Sequence, residues 1–112
     1  MINKMNFNKY QIMSSRTINK DSSNKDLILN GCMGLAGETG ELIDAYKKAI
    51  FHGHEIDKDY VAKELGDIMW YIAAIATAED IKLDEVARMN IYKLIKRYPN
   101  GFSEEDSKNR DF

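Results

Sequence analysis

Asp57 to Ala78 reads DKDYVAKELGDIMWYIAAIATA, and the spacing within this stretch decides the fold. Val61, Ile68, Ile72 and Ile75 fall on one side of a helix, with Glu64 and Asp67 at the border of that side. The second half, Ile68 to Ala78 (IMWYIAAIATA), has apolar residues in nearly every direction over 11 positions. That run is too short to span a bilayer. A helix apolar all round must be covered all round, so Met69, Trp70 and Ala73 are expected to meet a second subunit, and the chain is expected not to be a monomer.

Outward from this helix the chain stays helical. Pro99 is the one proline, and the 98 residues before it show little β-branched alternation, which points to an all-α, four-helix bundle. The first helix is expected from Asn8 to about Ile18, with Tyr10, Met13 or Ser14, and Thr17 on one side. Asn19 to Lys25 (NKDSSNK) reads as a loop, and Asp26 is a candidate cap for a second helix running to about Phe51. In that helix Ile28, Cys32, Leu35, Leu42, Ile43, Tyr46, Ala49 and Ile50 share an arc about 140° wide. Gly31, Gly34, Gly37 and Gly40 recur every third residue, at roughly 1 kcal/mol each against alanine. Either two helices pack closely there, the helix breaks locally, or backbone approaches a ligand. Gly53, between His52 and His54, suits the end of the helix, and the two histidines are read as part of that ending, with phosphate binding as the alternative. The third helix spans about Asp57 to Ala78 and the fourth runs from about Asp84, a candidate cap, to Tyr98. Residues 1–103 are expected to form a single domain, and Ser103 to Phe112 (SEEDSKNRDF) a charged, frayed tail.

Composition narrows the function. The 112 residues are 44% hydrophobic and 30% charged, with net charge −2 and pI about 5.7. A protein that coats nucleic acid or an anionic membrane needs a positive excess, so neither partner is expected. Cys32 is the one cysteine and can close no intramolecular disulfide or cysteine-based zinc site. Met1 to Tyr10 (MINKMNFNKY) is polar and shows no secretion signal, so a cytoplasmic protein is expected.

The chemistry sits in two acidic pairs, Glu38-Thr39-Gly40-Glu41 and Glu64-Leu65-Gly66-Asp67. Spacing of i, i+3 projects both carboxylates of a pair from one helix face. If the two helices pack antiparallel, four carboxylates face one another, and like charges ~4 Å apart repel by about 4 kcal/mol at an effective dielectric near 20. Cations between them relieve this, and an all-oxygen set favours Mg²⁺ or Mn²⁺ over zinc. Such pairs also occur as plain surface charge, and Asp44 makes a third with Glu41. A ferritin-like di-iron bundle needs Glu-x-x-His, which neither His52 nor His54 completes.

Glu38-x-x-Glu41, 22 intervening residues and Glu64-x-x-Asp67 together resemble the signature of the MazG-like all-α nucleoside triphosphate pyrophosphohydrolases. Gly34 to Gly37 before the first pair, Lys63 to Asp67 at the second, and Asn90 with Lys93 to Tyr98 (KLIKRY) resemble the family too. Tyr10-Gln11 and Arg16-Thr17 resemble the first helix of its short, single-domain members. The resemblance implies hydrolysis of (d)NTP to (d)NMP and pyrophosphate, as nucleotide-pool house-cleaning. It implies Mg²⁺, or Mn²⁺ in its place, on Glu38, Glu41, Glu64 and Asp67, with Glu38 and Glu41 as the catalytic carboxylates. Of these, Glu38 is the expected proton acceptor. It implies a homodimer or homotetramer whose subunits complete one another's sites. On the fourth helix Lys93 and Arg97 lie within about 60° of Asn90, beside Leu83, Ala87 and Leu94, which are expected to be buried. Alone they read as surface charge; with the motif they read as triphosphate contacts, with Arg97 as a fork. Arg88 and Lys96 point elsewhere. Tyr71, one turn beyond Asp67, is placed to stack on a base or touch the ribose. Trp70 reads as core or interface, and Arg16 as either a substrate contact or an exposed charge. The other readings are a non-catalytic nucleotide-sensing module on the same fold and a helical oligomerisation protein.

Overall fold

The computed structural model describes residues 2–109. After a short 3₁₀ turn, Ile2–Lys4, come α1 (Phe7–Ser15), α2 (Asn24–Phe51), α3 (Lys58–Ala78), α4 (Leu83–Arg97) and a five-residue α5 (Glu104–Lys108). The described residues contain four substantial helices and no strand. No helix among them is long and apolar enough to cross a membrane.

The helix ends explain the departures from the expected boundaries. The first helix stops at Ser15, not Ile18. Ser14 and Ser15 return their hydroxyls to the carbonyls of Gln11 and Ile12, and Thr17 returns its own to Ser14, in competition with the helical ladder. The cap of α2 is Ser23, whose Oγ accepts the Asp26 N–H, so Asp26 lies inside the helix. α3 ends in a Schellman motif: Ile81 N–H donates to the Ala76 carbonyl and Asp80 N–H to that of Thr77. Asp80 occupies the left-handed position at φ +58°, where glycine is usual. Asp84 does not cap α4; it pairs with Arg88 at 2.6 Å inside the helix. The cap comes from α1 instead. Gln11 Oε1 accepts the Leu83 N–H at 2.7 Å, while its Nε2 donates to the Ile81 carbonyl and the Thr77 hydroxyl. One side chain thus ties α1 to the α3–α4 turn. The tail is not frayed at its start: Ser103 Oγ caps α5 by accepting the Asp106 N–H. Residues 110–112 of that tail lie outside the described residues.

α2 and α3 make the principal contact, with α1 across α3 and α4 against α1 and α3. The pair is antiparallel, since Gly31 abuts Ile75 and Gly34 abuts Tyr71. A Cβ at Gly31 would come within 2.6 Å of the Ile75 side chain, and one at Gly34 within 2.2 Å of the Tyr71 ring. Close packing is therefore the reason for those two glycines. Gly37 and Gly40 have open space where a Cβ would stand.

Ala73, Ala74, Ala76 and Leu83 are the buried apolar residues. Ala73 is covered within the chain, contrary to the expectation that it needs a partner, because its small side chain lets neighbouring helices close over it. The arc foreseen on α2 is only half filled: Cys32, Ile43, Tyr46 and Ile50 are exposed. Leu94 on α4 is also exposed and Ala87 only half-buried, so of the three α4 residues expected to be buried Leu83 alone is. The radius of gyration is 17.1 Å, against about 13 Å for a compact domain of this length. The surface area is 8828 Å², against roughly 6,300 Å² for a compact monomer of this mass.

Candidate active site

The glycine contacts set the register of α2 on α3, and that register brings acids together. One carboxylate oxygen from each of Glu38, Glu41 and Glu64 lies within 4.8 Å of the other two. Glu64 is buried, Glu38 half-buried and Glu41 exposed. Glu38 Oε2 and Glu64 Oε2 are both shut off from solvent with no hydrogen-bond donor. A bond between the two carboxyls requires a proton on one of them. The Glu38 carboxyl is pushed up to about 7, first by that shared proton with Glu64, then by burial and the charges of Glu41, Glu64 and Asp67. Tyr60, one turn before Glu64, has its phenol raised by burial and by the charges of Glu64 and Glu41. A buried acid with an orphaned oxygen beside two further carboxylates is a donor set suited to a hard divalent cation.

Asp67 lies outside that trio and beside it. With Glu38, Thr17, Trp70 and Tyr71 it lines a pocket of about 400 Å³, a volume in the range of small-ligand sites. Its charge, after burial, raises the Tyr10 phenol. The lining thus combines two acids, one hydroxyl and two aromatic rings. Trp70 and Tyr71 meet edge to face, centroids 5.2 Å apart at 90°. Trp70 Nε1–H donates to Thr17 Oγ1 at 2.7 Å.

Residues 30–102 match the family model described as the MazG nucleotide pyrophosphohydrolase domain. The chain belongs to that family. A relative from Mycobacterium phage L5, called Gene 37 protein, is 35% identical over 82 residues, covering 70% of this chain and 72% of its own length. No solved structure gives a significant match.

Within this MazG domain the matched span contains all four foreseen acids, and Glu38, Glu41 and Glu64 come together as one cluster. Tyr71 lines the pocket as foreseen. Trp70 does so too, in contrast to its reading as core or interface, and Thr17, in the turn after α1, accepts its indole N–H. Asn90, Lys93 and Arg97 stand on α4, which packs on α1 and α3; the pocket lining carries no α4 residue among those described. The Arg97 guanidinium lies over the Tyr98 ring at 5.7 Å. Three residues at or beside the candidate site had no site role in the sequence reading: Trp70, Thr17 as its partner, and Tyr60 beside Glu64. Tyr60 had a usable signal, four residues before Glu64 on one helix face. Thr17 had none, since it joins Trp70 from 53 residues away.

Proposed function

We propose that this MazG domain hydrolyses nucleoside triphosphates to the monophosphate and pyrophosphate, with Mg²⁺ as cofactor and Mn²⁺ as substitute, in a cytoplasmic nucleotide-pool role. The observation that carries the reading is the pair of buried, donorless oxygens on Glu38 and Glu64 beside Glu41. Glu38, Glu41, Glu64 and Asp67 are the residues that would hold the metal. When bound, it supplies positive charge to the triphosphate and lowers the pKa of an attacking water. Glu38, which reaches both the acidic cluster and the pocket, accepts that water's proton, with Glu41 beside it. Tyr71 and Trp70, which also line the pocket, receive the base and sugar. Asn90, Lys93 and Arg97 contact the triphosphate.

The same reading includes a homodimer or homotetramer. Ile43, Ile50 and Phe51 on α2 and Met89, Tyr92 and Ile95 on α4 are all exposed. The excess surface of roughly 2,500 Å² over a compact monomer matches what an obligate interface covers. In such an assembly α4 of one subunit meets the carboxylate end of its partner, which accounts for the absence of α4 from the pocket lining. Pyrophosphate release from a panel of dNTPs and NTPs, with and without Mg²⁺, tests the activity. Metal-dependent release supports it; nucleotide binding without release from any member favours a sensing module instead.

A further inference from the structure

Thr17 Oγ1 has a fixed hydrogen-bond inventory. A hydroxyl has one donor hydrogen and two acceptor lone pairs. The hydrogen is committed to the Ser14 carbonyl at 2.7 Å. One lone pair is taken by the Trp70 indole N–H, also at 2.7 Å. What remains is a single acceptor, on a side chain that lines the pocket. Trp70 has spent its only N–H on Thr17, so the indole offers the pocket no second donor. The remaining polar lining is Glu38, Asp67 and the Tyr71 phenol, and the two carboxylates are acceptors when ionised. Thr17 therefore presents one held acceptor beside the Trp70 and Tyr71 rings, with the Tyr71 phenol able to donate or accept nearby.

We propose that Thr17 makes this site selective for nucleotides whose base carries an exocyclic amine. The inference rests on the reading that a nucleotide occupies the pocket with its phosphates toward the carboxylates. A base amine donates to Thr17 Oγ1 and completes its bonding. A carbonyl at the same place sets oxygen against oxygen, and the hydroxyl cannot turn to donate without giving up Ser14. The ring N–H of uracil or hypoxanthine is no substitute. It stands beside the carbonyl on the same edge, displaced from the amine position, so it reaches Thr17 Oγ1 only if the whole base slides along that edge. A positioned hydrogen bond of this kind discriminates by about tenfold or more. Trp70 acts as a positioning residue, since its indole fixes which lone pair is left.

The chain has one tryptophan, so its fluorescence reports this pocket directly and without turnover. Two pairs of nucleotides differ at the amine position, dCMP with dUMP and dAMP with dIMP, and their triphosphates serve for rates. The wild type is expected to bind the amine member of each pair about tenfold more tightly, with kcat/KM for the triphosphates following. Thr17→Val keeps the β-branched shape and loses the acceptor, so the ratio falls toward one; Thr17→Ser keeps the hydroxyl and the preference. Equal or reversed affinities in the wild type, or a preference that survives in Thr17→Val, overturn the inference. A fluorescence response to none of the nucleotides overturns the placement of the base. Amine-selective binding without pyrophosphate release from any triphosphate leaves the inference standing and overturns the hydrolase reading, so the two failures are distinct.

Discussion

Glu38 on α2 and Glu64 on α3 face each other across the antiparallel helix pair, each with its Oε2 cut off from solvent and without a donor. Two carboxylates held this way repel in the empty protein, and the fold keeps them because the glycine contacts between α2 and α3 fix the register. Such an arrangement is costly for a structural purpose alone and useful for holding a cation.

Replacing one of the pair separates the two roles. In EDTA, Glu64→Gln removes a buried charge and gives Glu38 Oε2 an amide donor, so the melting temperature rises by about 3–6 °C. With Mg²⁺ the order reverses, since the wild type gains stability that the variant cannot. Hydrolysis in the variant falls by roughly 10²-fold or more. Thermal melts in both buffers check the reversal, and a variant that Mg²⁺ stabilises as much as the wild type removes Glu64 from the metal set.

Stability in the metal-free state depends on pH with a definite sign. The Glu38 carboxyl, raised from 4.5 to about 7, binds its proton more tightly in the folded chain than in the unfolded one. Its contribution is therefore fully present below about pH 4.5 and is lost as pH rises through about 7. Denaturation midpoints in EDTA are expected to decline across that window and level off above it. Mg²⁺ offsets the repulsion and flattens the decline. A midpoint that rises over the same range contradicts the pairing of Glu38 with Glu64.

Glycines of the same helix are expected to behave oppositely. Gly34→Ala drives a Cβ into the Tyr71 ring, costing about 1–3 kcal/mol and displacing a pocket wall. Gly40→Ala meets open space and gains about 0.5–1 kcal/mol from helix propensity. Urea unfolding of the two variants gives both numbers.

Much of this was legible in the residues themselves. The i, i+3 acids were readable because helix periodicity alone fixes which face they share, and the four main helices followed from apolar spacing. Gly31 and Gly34 announced a close approach but not what approached. The contacts that escaped are those with no local period: Gln11 capping α4 from 72 residues away, and Thr17 accepting from Trp70. The end of α1 falls short of Ile18 because three hydroxyls turn back on carbonyls three residues earlier. Trp70 was assigned elsewhere because a helical wheel shows direction and not the neighbour that fills it.

Association is expected to be tight. Light scattering at micromolar concentration should give at least twice the 12.9 kDa of one chain. Ile95→Glu, on the exposed face of α4, should shift the mass toward the single chain. A wild-type species of 12.9 kDa refutes the assembly and leaves the α4 face without a cover.

Phosphorus NMR of a deoxynucleoside triphosphate in the presence of the protein and Mg²⁺ reads which phosphate bond is cleaved. Monophosphate and pyrophosphate signals are expected to grow equally, with no orthophosphate, no turnover in EDTA, and turnover slowed roughly 10²-fold or more in Glu64→Gln. Nucleoside diphosphate appearing together with orthophosphate, or turnover undiminished in EDTA, would contradict pyrophosphohydrolysis at the carboxylate cluster.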